Sequence, residues 1–129
     1  MIKIGDTYTD TKTITREMVE VFGKITGDLN PIHFDEEYAK KTRFKGTIVH
    51  GMLYPGFISK VLGMNFPGPG TIYLEQNLKF LYPVRIGDTL TVKVTVLNIN
   101  EKGIATLKTD CINQGGTTVL EGVAKVIIP

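Results

Sequence analysis

Cysteine is nearly absent: Cys111 is the only one among 129 residues, which excludes an internal disulfide and a cysteine-based zinc site. A small domain that does without disulfides suits a reducing compartment, so a cytoplasmic location is expected. The start, "MIKIGDTYTD", lacks a basic run followed by an apolar segment, and no signal peptide is read there. Long apolar runs are missing too. The longest weakly charged stretch, Gly46 to Leu74, has Lys60 as its only strong charge, yet Pro55, Pro67, Pro69 and six glycines interrupt it. That pattern argues against a membrane span and for a buried segment. Nor does one sign of charge dominate. The formal net charge is +2 with acids and bases interspersed, and no Lys/Arg cluster interleaves with aromatics, so a nucleic-acid partner is not expected.

What is present fits one globular unit spanning residues 1–129, with 42% hydrophobic and 22% charged residues. Met18, Val21, Phe22 and Ile25 are spaced as one face of a helix, with Thr15 as N-cap and Gly27 as stop. Asp35 can cap a second, short helix that starts with Glu36 and Glu37 and ends with Lys40 and Lys41. A third helix is predicted over Gly51 to Met64, apolar nearly all round and therefore covered on most sides, with Pro55 in its first turn or just past it. From Thr71 the period changes to two. Ile72, Leu74, Leu78, Phe80 and Tyr82 share one face; Leu90, Val92, Val94 and Val96 form the next; Ala105, Leu107 and Cys111, then Val119, Val123 and Ile127, suggest two more. The expected architecture is α+β: a short N-terminal strand, helices, then a four-strand antiparallel meander, about five strands curled around the apolar helix. Apolar residues on the other faces, such as Tyr73 and Leu81, allow a second copy to pair.

The segment "TGDLNPIHFD", Thr26 to Asp35, concentrates chemistry. Asp28, Asn30, Pro31 and His33 are ordinary turn residues by type, because Asp and Asn bond nearby backbone and proline fixes φ. Together they also make a stiff loop, which a positioned acid–base pair requires. "IVHGML", Ile48 to Leu53, opens the apolar helix in this reading. Helix N-termini present unpaired N–H groups, and Gly51 would let a carbonyl approach the backbone. An acid–base pair and an oxyanion site together suit addition or removal of water beside a thioester. His50, flanked by Ile48, Val49 and Met52, is read as packing and capping. Asp28, His33, Asp35 and His50 lack the helical His–His spacing of a metal site, and no metal is expected.

"FGKITGDLNPIHFDEEYA", followed by "IVHGML" and "PGPGTIYLEQNLKFLYPVRIGDTL", resembles the MaoC-like, (R)-specific enoyl-CoA hydratase family, whose fold is the hot-dog. The resemblance covers nearly the whole chain, and its specific part is the Gly-Asp-Xaa-Asn-Pro-Xaa-His motif with Ala39 at its usual offset. It implies reversible hydration of a trans-2-enoyl-CoA to an (R)-3-hydroxyacyl-CoA. Asp28 and His33 would hold and activate one water, Gly51 N–H would polarise the thioester carbonyl, and Asn30 would orient the loop. Ser59 matches a serine that in relatives helps place the water or the aspartate; otherwise it is a buried hydroxyl bonded one turn back. Phe57, Leu62 and Val126 are read as setting the depth of the acyl pocket, for a short-to-medium chain. Coenzyme A would enter as part of the substrate, with no separate cofactor. The basic run Lys40 to Lys45 either meets its phosphates or forms a solvated turn. A homodimer is the simplest assembly.

Three alternatives share the fold. A hot-dog thioesterase or a 3-hydroxyacyl-[acyl-carrier-protein] dehydratase of the fatty-acid synthesis type carries, by family pattern, an acid on or near the central helix. Gly46 to Leu74 holds none. A non-catalytic acyl-CoA-binding module would be expected to lose Asp28 or His33, and both are present.

Overall fold

The computed structural model describes residues 1–129. Strand β1 (Thr7–Thr13) leads into helix α1 (Arg16–Thr26), a 3₁₀ turn (Pro31–His33), helix α2 (Glu36–Lys40) and helix α3 (Pro55–Met64). Strands β2 (Ile72–Gln76), β3 (Lys79–Phe80), β4 (Thr89–Ile99), β5 (Ile104–Ile112) and β6 (Thr118–Ile127) follow. They form one antiparallel sheet in the order β1-β4-β5-β6-β2, with β3 also on β6. The sheet lies against α3 in the hot-dog arrangement and stays open at its edges. Ile58, Val61 and Leu62 of α3 meet the inward residues of β4, β5 and β6 in one buried core.

Local signals place several elements as expected. The Thr15 hydroxyl accepts the Met18 N–H at 3.2 Å, and Gly27 ends α1 at φ 79°, its N–H donating to Gly23 O. A side chain at Gly27 would be strained there. Asp35 caps α2 through Tyr38 N–H. On β4 the inward set is Leu90, Val92, Val94 and Val96, as the alternation requires.

Other elements depart from expectation. The third helix begins at Pro55 rather than Gly51: proline has no N–H to satisfy and fits a first helical position. His50 to Tyr54 form turns instead, with Leu53 N–H on His50 O and Gly56 N–H on Leu53 O. The side of α3 bearing Gly56, Ser59, Lys60 and Met64 is exposed, so the chain itself covers one face of this helix only. The stripe on α1 is likewise half open. Val19 and Gly23 are its buried residues, whereas Val21 and Ile25 face outward.

The meander comprises β4, β5 and β6 alone, because β2 crosses to the far side of β6. The apolar residues expected on one strand face do not share an inward face either: Ile72, Leu74, Phe80 and Tyr82 are all exposed. A register shift between Tyr73 and Glu75 interrupts the strand, and Asn77 then passes over Gly122. A Cβ on Gly122 would lie 2.1 Å from Asn77 O, so only glycine admits this crossing. On β6 Val119 is buried as expected, but the inward set then continues through Leu120, Gly122, Ala124 and Val126 rather than Val123 and Ile127. The shift in pairing between Cys111 and Ile112 inverts the alternation at that end.

Candidate active site

The loop after α1 is built from side-chain oxygens that accept backbone N–H groups. Thr26 Oγ1 takes Asp28 N–H at 3.1 Å, Asp28 Oδ1 takes Asn30 N–H at 3.2 Å, and Asn30 Oδ1 takes Ile32 N–H at 3.2 Å. Each satisfies a donor that a tight turn would leave unpaired. Pro31 opens the 3₁₀ turn that presents His33. Phe34 then folds back on Gly23, where a Cβ would come within 2.7 Å of the ring.

Two backbone-level ties join this loop to the segment before α3. Ile48 N–H donates to Ile32 O, and the His33 ring donates from Nδ1 to Ile48 O at 2.8 Å. With its proton held on Nδ1, neutral His33 keeps a lone pair on Nε2. Burial pushes this imidazole below the ordinary histidine value of 6.5, and the Ile48 bond and the Asp28 charge offset only part of that. His50, buried at 2% exposure, bonds Asp28 O through Nε2 at 2.9 Å. Its ring stacks on His33 with centroids 3.9 Å apart and planes 31° from parallel.

Asp28, His33 and His50 thus bring one ligand-type atom each within 4.8 Å of one another. The fold gathers what sequence spacing keeps apart. Two of the imidazole nitrogens are already engaged by backbone oxygens, His33 Nδ1 by Ile48 O and His50 Nε2 by Asp28 O.

His33 opens onto a cleft of about 290 Å³ whose walls include Arg43, Phe44, Gly51, Tyr54, Phe80 and Tyr82. Gly51 N–H makes no hydrogen bond within the chain. Phe80 covers this glycine, its Cε1 3.1 Å from where a Cβ would stand. Behind the wall, the Arg85 guanidinium donates to Phe44 O at 2.6 Å and Thr47 O at 3.1 Å, fixing the segment that carries Arg43 and Phe44.

The fold therefore brings Asp28, Asn30 and His33 together and puts Gly51 on the same cleft as His33. Ser59 is exposed on α3, its hydroxyl makes no hydrogen bond within the chain and it does not line the cleft, so the buried-hydroxyl alternative is corrected. Leu62 and Val126 lie in the closed core and Phe57 packs against it; none of the three lines the cleft. The period of α3 turns Leu62 toward the sheet, where Val126 points inward from β6. Sequence reasoning missed Tyr54 and Phe80 as cleft walls and the bond from His50 to Asp28. The position of His50 inside "IVHGML", beside Gly51, was the available signal.

A sheet lying along one apolar helix defines a hot-dog domain, and the Asp/His loop beside its cleft is its candidate active site; its relatives make it a hydro-lyase. Residues 3–114 match the model of the MaoC-like domain, and the chain belongs to that family. Over 129 residues it is 48% identical to an (R)-specific enoyl-CoA hydratase of Rhodospirillum rubrum, covering 99% of this chain and 89% of that one. It is 44% identical to a 3-hydroxybutyryl-CoA dehydratase of Methylorubrum extorquens, covering 99% and 82% of the two chains. Among solved structures, the (R)-hydratase from Aeromonas caviae superposes with a TM-score of 0.95 at 40% identity, over 99% of this chain and 98% of that chain.

Proposed function

We propose that the protein is an (R)-specific enoyl-CoA hydratase, adding water reversibly and on one face to a trans-2-enoyl-CoA to give the (R)-3-hydroxyacyl-CoA. The observation that carries this reading is the approach of Asp28 and His33, with ligand-type atoms within 4.8 Å of each other, while Ile48 O holds Nδ1–H and leaves Nε2 of the neutral ring free to take a proton.

In this mechanism one water sits between the Asp28 carboxylate and His33 Nε2. The thioester carbonyl lies on Gly51 N–H, which withdraws electron density from the double bond. The water oxygen bonds to C3 while Nε2 takes one of its protons. Negative charge passes to the thioester oxygen, and the proton held by His33 then moves to C2 on the same face. Asp28 holds the other hydrogen of the water and stabilises the transient imidazolium. Asn30 keeps the loop in shape through Ile32 N–H. Dehydration is the same path reversed.

Arg43, on the cleft wall, is the member of the basic run offered to the phosphates of coenzyme A. Coenzyme A arrives as part of the substrate; no other cofactor or metal is required. A second copy of the chain covers the exposed Met52, Met64, Ile72 and Leu74, giving a homodimer. No helix is long and apolar enough to cross a membrane. With the lone buried cysteine, a cytoplasmic site of action fits.

The test is the enoyl-thioester absorbance of crotonyl-CoA with wild type, Asp28→Asn and His33→Ala, with chiral analysis of the product. Loss of about 10²-fold or more in each variant, with (R) product from wild type, is expected. Release of free thiol would point to a thioesterase. Binding of enoyl-CoAs without turnover would make the chain a carrier module.

A further inference from the structure

His50 takes no part in the proposed proton transfers, yet it touches both members of the acid–base pair. Its Nε2 lies 2.9 Å from the backbone oxygen of Asp28. Its ring packs against His33, with Phe22 and Phe34 completing the enclosure at centroid distances of 4.8 and 5.5 Å. The other nitrogen, Nδ1, is buried without a partner. Neutral imidazole has one proton to place, and Asp28 O is the acceptor bonded to the ring, so the proton belongs on Nε2. The cost of an orphaned buried acceptor is tolerated at this position.

We infer that His50 is a positioning residue: it sets the height of Asp28 against His33. The Asx turns of the loop fix its internal shape, but they do not tie Asp28 to the rest of the fold. The bond from His50 does so, and the ring against which that bond is levelled is the one His33 stacks on. Asp28 is exposed and His33 half-buried, so without this strut the carboxylate would move relative to Nε2. A displacement of about 1 Å in a reacting geometry can cost about 10²-fold in rate. This inference rests on the proposed hydratase reaction.

The test uses the full-length protein and two substitutions. His50→Gln keeps an N–H donor near the place of Nε2; His50→Phe keeps the volume and the stacking but removes the donor. With crotonyl-CoA, His50→Phe is expected to lower kcat about tenfold or more while KM stays within about twofold, and His50→Gln to recover most of the loss. Equal kcat for His50→Phe and wild type, in folded protein, overturns the inference. So does a His50→Gln variant as impaired as His50→Phe. Nitrogen-15 chemical shifts of the wild-type histidine rings give a second readout that needs no variant to fold: Nε2–H with bare Nδ1 is expected on His50, and a protonated Nδ1 with bare Nε2 overturns the strut. If wild type fails to hydrate enoyl-CoAs, the proposed reaction falls, and the ring shifts alone decide whether His50 holds Asp28.

Discussion

The ring of Phe80 lies over Gly51, so close that a Cβ there would stand 3.1 Å from Cε1 and 3.3 Å from Cδ1. A strand of two residues and a turn ahead of α3 are thereby fitted to each other across the cleft. Gly51→Ala should therefore push on Phe80 and disturb the carbonyl site together, lowering kcat/KM about tenfold or more. Phe80→Leu in the same chain should relieve the steric part. Steady-state kinetics of both single variants and the double variant measure the coupling, and strictly additive losses would remove the proposed link between ring and glycine.

The acid side of the pH profile follows from His33. Its imidazole is held below 6.5, chiefly by burial. The bare Nε2 is thus kept at a pH where an ordinary histidine is already protonated. We expect the acid limb of kcat/KM to be centred below pH 6.5. Stability carries the same sign: the contribution is complete above the unfolded value and is lost as pH falls through the lower folded one. An acid limb centred above pH 6.5 would contradict this assignment.

Gly122→Ala should be among the most damaging small substitutions in the sheet. The added methyl would meet a backbone oxygen, Asn77 O at 2.1 Å, which cannot rotate away as a side chain could. A loss of about 2–4 kcal/mol is expected, read by denaturant unfolding. An unchanged midpoint would mean that β2 and β3 do not cross β6 as described.

Leu74 is exposed on β2 at 49% of its surface. Sedimentation velocity should give twice the chain mass for wild type and a shift to monomer for Leu74→Glu, since a charge facing an apolar partner costs more than one facing water. Dimers that persist in the variant would place the contact elsewhere.

Elements governed by neighbours along the chain were legible in the sequence. Thr15 and Asp35 cap the helices they precede, Gly27 stops α1, and the two-residue period of β4 names its inward side chains. The Asp28–His33 loop was legible as well, because its bonds run two residues ahead. What depended on a distant partner was not. The inverted alternation on β6 comes from a slip in its pairing with β5. The exposure of Ile72 and Leu74 accompanies a slip in the pairing of β2 with β6 between Tyr73 and Glu75. His50 reaches Asp28 across 22 positions, and no local pattern encodes that bond.

Cys111 faces the core from β5, and burial pushes its thiol up to about 12. In the native fold it is closed to thiol reagents, which attack through the thiolate. A colorimetric search for coenzyme A released by thioester cleavage would therefore start from a dark background. The same cysteine would report, one thiol per chain, the moment at which the sheet comes apart.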